Sequence, residues 1–191
     1  QVVPGSGFVS PIATGGVAES LLTPDGVWFA RGPNADTIDW VVRNGAVLAA
    51  TDQAVPGGMA GEMFDDAIFT ATFFGMTGNG VGDYVYGGVT NAADLNANAV
   101  LVFNNTSVLL REGDAVDLNG NGLADDNVFL SVFNNEDAFL TNDLRYHFTA
   151  DLRDGAGTAL GQAFMTLTIP EPSSIAIALG AGLLWWRRRK G

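Results

Sequence analysis

The clearest indication of the fold is the stretch WVVRNGAVL, residues 40–48. Two short apolar runs, 40–43 and 46–48, flank the dipeptide Asn44-Gly45. Asn-Gly accepts positive φ at both central positions of a type I′ turn, which links adjacent antiparallel strands. The stretch therefore predicts a β-hairpin.

A second stretch further along the chain has the same arrangement. Residues 100–103 and 107–111 are mostly apolar, and the turn-forming sequence Asn-Asn-Thr separates them at 104–106. Between the two hairpins, a strand over 67–73 would place Phe69 and Phe73 on one face together with two alanines, and Ile68 on the other face with two threonines. These patterns predict a second hairpin and a strand preceding it.

An imperfect repeat runs through the chain. An Asx-rich turn followed by a strand with an aromatic residue occurs at 25–30, 65–71 and 142–150. Repeats of about 40–60 residues built from strands and hairpins are typical of propeller blades or stacked β arrays. Three units are too few to close a propeller of four or more blades. We therefore expect an all-β fold of antiparallel strand-hairpin repeats, either an incomplete, blade-like propeller or an open sheet or sandwich.

The composition excludes several classes of function. Cysteine is absent, which excludes disulfides, thiolate metal sites and cysteine nucleophiles. The formal net charge is −12, and four of the nine basic residues lie among the last five positions, so the preceding part is strongly acidic. Such a surface repels phosphate backbones, and we expect no binding of nucleic acid. Divalent cations are compatible partners.

One motif predicts a metal site in the stretch DLNGNGLADD, residues 117–126. Oxygen-bearing side chains stand at positions 1, 3, 5 and 9 of a calcium-loop pattern, with Gly122 at position 6. Position 12 is Val128, where the pattern requires a bidentate acid. The predicted ligands of a structural Ca²⁺ are Asp117, Asn119, Asn121, Leu123 through its carbonyl, Asp125 and Asp126. The alternative is a turn closed by Asx hydrogen bonds without a metal.

Residues with catalytic potential are few. His147 is the single histidine, and its place in a predicted strand puts it on the solvent side, opposite Tyr146 and Phe148. Acidic doublets such as 65–66 and 125–126 are poor pairs for glycoside hydrolysis, because adjacent strand residues point to opposite faces. We therefore expect that the protein is not an enzyme.

The C-terminus has three parts in succession. The first is the turn-forming Pro170-Glu171-Pro172, and the second is an apolar run over 175–186. The third is a basic cluster, Arg187, Arg188, Arg189 and Lys190. By the positive-inside rule the cluster stays on the cytoplasmic side, which places the preceding residues outside. We expect an acidic extracytoplasmic β domain over 1–169 and a sorting signal with a hydrophobic membrane helix over 170–191.

This tripartite tail resembles the PEP-CTERM sorting signal of exported bacterial proteins, with Pro170, Glu171 and Pro172 at the positions of the motif. The resemblance implies export, at least transient anchoring of the C-terminal helix in the membrane, and recognition by an exosortase-type processing enzyme. It also implies delivery to the cell surface or the extracellular matrix.

The body of the chain resembles the tandem Asn-x-x-Gly-x-x-Ala-Phe-type repeats of uncharacterised PEP-CTERM proteins. The matching pieces are 25–29 and 111–114, within a region that extends from Leu22 to Thr168. This resemblance implies blade-like β repeats and no established activity.

Taken together, the residues and resemblances predict an exported cell-surface or matrix protein without enzymatic activity. The alternative is a carbohydrate-binding or adhesive module in an extracellular polysaccharide matrix. In that case aromatic residues such as Trp28 or Trp40 would stack on sugars, unless they pack in the core.

Overall fold

The structure, a computed structural model, describes residues 16–36, 38–65 and 71–170, apart from the side chains of residues 135 and 136. In these ranges the chain forms eleven strands in three antiparallel sheets. The predicted all-β, antiparallel fold is confirmed. The predicted C-terminal hydrophobic helix lies outside the described residues. A helix of sufficient length and apolarity to cross a membrane is not found in the part of the chain that the structure describes.

Sheet 1 is a four-stranded meander in the order β1-β2-β3-β4. Its strands are Glu19–Leu22, Trp28–Pro33, Asp39–Arg43 and Ala46–Ala50. The β3–β4 connection has φ of 48° at Asn44 and 86° at Gly45, the two positive values of the predicted type I′ turn. The first predicted hairpin is confirmed.

Sheet 2 repeats this meander in the order β5-β6-β7-β8. Its strands are Phe73–Gly78, Tyr84–Val89, Ala99–Phe103 and Ser107–Arg111. Asn104 and Asn105 have φ of 49° and 53° at the β7–β8 turn, so the second predicted hairpin is also confirmed.

Sheet 3 has three strands in the order β11-β10-β9. They are Val128–Leu140, Arg145–Asp154 and Ala159–Thr168, numbered β9 to β11 along the chain. These strands are longer than those of the other sheets, and both pairings contain a shift of register.

Equivalent hydrogen bonds relate sheets 1 and 2. In sheet 1 the Asn44 side chain accepts a hydrogen bond from the Trp28 amide at 2.9 Å, and in sheet 2 the Asn104 side chain accepts one from the Tyr84 amide at 2.9 Å. The second strand of each sheet is thereby tied to the hairpin turn of the third and fourth strands. β2 therefore corresponds to β6, which follows Asp83.

This correspondence places the second copy of the repeat later in the sequence than predicted. The 65–71 segment, predicted as the second copy, comes before the first strand of sheet 2, and residues 66–70 lie outside the described residues. The strand predicted over 67–73 lies partly outside the described residues, and β5 begins only at Phe73. The sequence pattern could not distinguish the 65–71 segment from β6, because each has an Asx residue followed by an aromatic residue.

Sheet 2 is the middle layer of the molecule. On β7, Val100 and Val102 pack into a core shared with sheet 1, whereas Leu101 and Phe103 pack into a core shared with sheet 3. The strand is apolar on both faces because both faces are covered. β5 contacts β1, β2 and β3 on one side and β9 on the other. The first strands of the three sheets therefore lie next to one another.

Candidate functional site

The outer face of sheet 3 is its most distinctive surface. On β10, Tyr146 and Phe148 are buried in the core against sheet 2. Successive strand residues point to opposite faces, so His147 and Thr149 lie on the other side. We call this side, formed by β9, β10 and β11, the outer face. The expectation that His147 lies on the side opposite Tyr146 and Phe148 is confirmed.

A row of three rings crosses the outer face from strand to strand. The ring centroids of Phe139 and His147 are 4.5 Å apart with an interplanar angle of 16°, and those of His147 and Phe164 are 6.0 Å apart at 15°. His147 Nδ1 also forms a hydrogen bond with the Thr166 hydroxyl at 2.9 Å. The row is therefore fixed both by stacking and by a polar contact with β11.

The apolar side chains of this region are unusually exposed. Phe139 is 49% exposed and Phe164 62%, and Val132 on the same face is 55% exposed. Single exposed apolar residues are common, but exposed rings that contact one another, as in this row, are typical of an interaction surface. The nearly parallel rings cover the faces of the imidazole, so the row forms an apolar ridge across the sheet.

A cleft of about 290 Å³ adjoins one end of the outer face. Phe129 of β9 and Arg153 of β10, which are cross-strand partners, contribute to its lining. The opposite wall comes from the β6–β7 connection with Asp94 and Asn96, and from the turn after β8 with Glu112. The cleft thus unites four segments that are far apart in the sequence.

Arg153 occupies a central position in the cleft. Its guanidinium carbon lies 5.7 Å from the centroid of the Phe129 ring, and its Nη2 donates a long hydrogen bond of 3.4 Å to the Asn96 carbonyl. Its Nε is buried and has no hydrogen-bond partner among the described residues. Unsatisfied buried donors are uncommon in folded proteins, so this group has unused capacity for a ligand or water.

Glu112 faces the same cleft with a perturbed acidity. Burial raises the pKa of its carboxyl to about 7, although the Ala99 amide and the Arg153 charge both act to lower it. The Asp94 carboxylate adds a smaller upward effect. A half-buried carboxyl that is largely neutral below pH 7 can donate as well as accept hydrogen bonds.

The predicted calcium loop lies between β8 and β9, as expected from the sequence. The Asp117 carboxylate accepts hydrogen bonds from the amides of Gly120, Asn121 and Gly122 at 2.8, 3.1 and 2.7 Å. Asn119 and Asn121 each accept one from the amide two residues later. These are the Asx turns of the metal-free alternative.

Asp126 closes the same loop from its other end. It accepts the Asn119 and Leu118 amides, and these contacts hold the pKa of its carboxyl below its usual range. Leu123 is 60% exposed, and Asp125 takes no part in these hydrogen bonds.

The oxygen atoms of this loop are of the kind that Ca²⁺ prefers as ligands, but several of them already accept hydrogen bonds that hold the loop together. In the described ranges, three or more His, Cys, Asp or Glu residues are nowhere grouped as a metal site requires. The calcium site stays a prediction.

The sorting motif and the membrane stop are described only at their boundary. Ile169 is buried in the core and its amide donates to the Leu144 carbonyl at 2.8 Å, whereas Pro170 is exposed. Glu171, Pro172 and the basic cluster over 187–190 lie outside the described residues.

Trp28 and Trp40 have different environments. Trp40 is 1% exposed and belongs to the core of sheet 1, so the interpretation of Trp40 as a sugar-stacking residue is wrong. Trp28 is 38% exposed on β2. Trp40 packs with Val42, Ala30 and Val47, in a cluster separate from the core that contains Val41.

No family model matches the chain, and neither a curated protein nor a solved structure is significantly similar to it. The function is therefore inferred from its own residues. Sequence reasoning missed Glu112 and Arg153 as site residues, because they lie 41 positions apart and belong to no motif. The exposed phenylalanines were also missed, since alternation marks two faces without indicating which one is covered.

Proposed function

We propose that this protein is an exported, non-enzymatic surface protein that binds extracellular material through the outer face of sheet 3. The supporting observation is the exposed row formed by Phe139, His147 and Phe164. An exposed aromatic side chain adds little to the stability of the free protein. On binding, the same side chain is buried against the ligand and contributes to affinity. The acidic composition also favours solubility outside the cell.

Export is proposed from the tail. Pro170-Glu171-Pro172, the apolar run and the basic cluster would be recognised by an exosortase-type enzyme, with the helix anchored in the membrane at least transiently. The mass of the protein recovered from cells tests this proposal. Loss of the residues after the motif supports processing, and a mass that includes Gly191 contradicts it.

The three sheets support a blade-like arrangement. Their first strands adjoin, and each sheet continues outward as a meander from that strand. We propose that the sheets are successive blades of an open β array, with the outer face of sheet 3 as the terminal blade surface. This arrangement would leave the aromatic row available to a ligand.

The outer-face proposal is tested by sedimentation of the full chain, in detergent micelles, with insoluble extracellular polymer. Phe164→Ser should reduce the bound fraction about tenfold if the ring contributes a central contact. Val81→Ser is the matched control, because Val81 is 63% exposed on the turn between β5 and β6, away from the outer face. Equal loss in both variants would refute the assignment of binding to this face.

A second function, carbohydrate binding, is favoured by the cleft beside Arg153. Sugars present hydroxyl groups that accept from a guanidinium and donate to a carboxylate, and they place C–H groups against aromatic rings. Arg153, Glu112, Asp94 and Phe129 offer these partners around one cleft. A volume of about 290 Å³ accommodates one or two sugar units in size.

A glycan array with the full chain separates the two functions. If carbohydrate binds in the cleft, the array signals should be lost in Arg153→Met. They should be retained in the control Arg145→Met, because Arg145 is an exposed residue at the start of the same strand. Binding that depends on Phe164 and not on Arg153 would favour the outer face. Turnover of a polysaccharide that is abolished by Glu112→Gln would instead make the cleft an active site and contradict the non-enzymatic proposal.

A further inference from the structure

The last strand of sheet 3 has an open edge. β11 extends over ten residues, Ala159–Thr168, and is hydrogen-bonded to β10 on one side. Among the described residues, no strand pairs with its other side. Seven of its ten residues are exposed and none is buried. Sheets 1 and 2 each have four strands, so sheet 3 ends one strand earlier.

β11 lacks the features that usually protect an exposed edge. Natural edge strands are short, or carry charged residues, prolines or covering segments that prevent pairing with another chain. β11 contains neither a charged residue nor a proline. By contrast, β1 has four residues and carries Glu19 in an ion pair with Arg31, and β8 ends in Arg111. β9, the other edge of sheet 3, lies beside β5.

Charge favours a second copy of this chain as the partner. A protein with a net charge of −12 repels its own copies over most of its surface. The ten uncharged positions of β11 are a strip where two copies can meet without facing like charges. The open amide and carbonyl groups of a strand are self-complementary in an antiparallel pair. A basic partner protein would gain nothing from this strip, because it offers no acidic side chain.

The aromatic row gives the pairing an apolar contribution. Phe164 lies on β11 and is 62% exposed, and its ring stacks on His147. A two-fold axis beside β11 would bring the Phe164 rings of two copies towards each other on the same side of a continuous sheet. The two outer faces would then form one surface of double width.

We propose that two copies of this protein associate through antiparallel pairing of their β11 strands, which joins two three-stranded sheets into one of six strands. This inference does not depend on the export or ligand proposals. It concerns the edge of sheet 3 and shares only the Phe164 side chain with the outer-face proposal, while the tail and the cleft take no part in it.

Cysteine scanning tests the pairing, because the chain has no cysteine of its own. Single cysteines are placed along β11 in the full chain, in detergent micelles, and oxidised mildly. Opposed residues of an antiparallel pair have Cα atoms about 4.5–5.5 Å apart, a distance that a disulfide spans. The disulfide yield should peak at the residue nearest the two-fold axis and fall on either side. The product should have twice the 19.9 kDa mass of the chain.

Asp151→Cys is the matched control for Gln162→Cys. The two residues are cross-strand neighbours and both are exposed, but Asp151 lies on β10, one strand away from the edge. A yield at Asp151 that equals the best yield along β11 would indicate random collision and overturn the proposal. An absence of crosslinking along β11, with or without capture of another protein, would also overturn it.

Charge variants provide a second readout. At the position of highest yield, an aspartate or a lysine is introduced into chains that carry the cysteine at a neighbouring position. Each variant alone should lose most of the crosslinked product, because like charges then face each other across the axis. A mixture of the two variants should recover it, which a loss of folding could not explain. Failure of the mixture to recover the product would refute the pairing.

Discussion

Removal of the Glu62 carboxylate should destabilise the protein strongly. Glu62 and Arg111 form an ion pair whose side chains are 3% and 16% exposed, with two N–O distances of 2.7 Å. The carboxylate also accepts hydrogen bonds from the Thr90 hydroxyl and the Met59 amide at 2.8 Å each. Arg111 in turn donates to the Ala97 carbonyl at 2.7 Å. The pair thereby connects the 52–65 segment to β8 and to the β6–β7 connection.

The expected magnitude follows from the buried groups that Glu62→Ala would leave without an acceptor. Breaking a buried ion pair by removing one partner costs about 3–5 kcal/mol, since the other charge stays buried. The Thr90 hydroxyl and the Met59 amide lose an acceptor as well. For a chain of this size each kcal/mol lowers Tm by about 2–4 °C. A fall in Tm of about 10 °C is therefore expected.

The same pair should contribute to acid sensitivity. Burial alone would raise the pKa of Glu62, but the hydrogen bonds from Arg111, the Met59 amide and Thr90 outweigh it and hold the pKa below its usual value of 4.5. A carboxylate with a depressed pKa in the folded state stabilises that state above its unfolded pKa, and the stabilisation is lost as the pH falls through the folded pKa. Below pH 4.5, Glu62→Ala should consequently lose less stability on acidification than the unmodified protein.

Thermal unfolding followed by far-UV circular dichroism measures both effects. Asp143→Ala is the matched control, because Asp143 and Arg145 form an ion pair at 3.2 Å whose side chains are 66% and 58% exposed. Exposed pairs contribute about 0–1 kcal/mol, so the control should melt within about 3 °C of the unmodified protein. A Glu62→Ala protein that melts together with the control would refute the reasoning.

Three further perturbations have defined outcomes. Because burial raises the pKa of Glu112 to about 7, its folded-state protonation stabilises the protein below pH 4.5, and this contribution is lost as the pH rises through 7. At pH 8, urea denaturation should therefore give Glu112→Gln a free energy of unfolding about 1 kcal/mol higher than that of the unmodified protein. This value is reduced because the site is half exposed. Gly87→Ala should lose about 1–3 kcal/mol in the same assay, since its Cβ would lie 2.5 Å from the Phe74 carbonyl oxygen. Gly80→Ala, with no atom closer than 3.5 Å, is the control and should be nearly neutral. If the loop binds calcium, titration calorimetry should give a signal that Asp117→Ala abolishes, and an absence of heat in both proteins would remove the site.

Much of the fold could be predicted from local chemistry. Asn44-Gly45 and Asn104-Asn105 specify their turns because these residues tolerate positive φ at low cost, and the turn sets the pairing of the flanking strands. The solvent side of His147 followed from strand alternation. The Asx turns of the 117–126 loop follow likewise from short side chains that reach nearby amides. Each of these features depends on residues that are close together in the sequence.

Only the tertiary structure determined which faces are covered and which segments meet. Alternation divides a strand into two faces but cannot identify the neighbour that buries one of them. Trp40 is therefore buried while Phe164 is exposed, although both are aromatic residues within strands. Similarly, the cleft forms where Glu112 and Arg153 approach across sheets 2 and 3. Within the part of the chain that the structure describes, β11 is an open edge because sheet 3 ends at its third strand. Contacts of this kind depend on how the sheets are stacked, which local sequence does not encode.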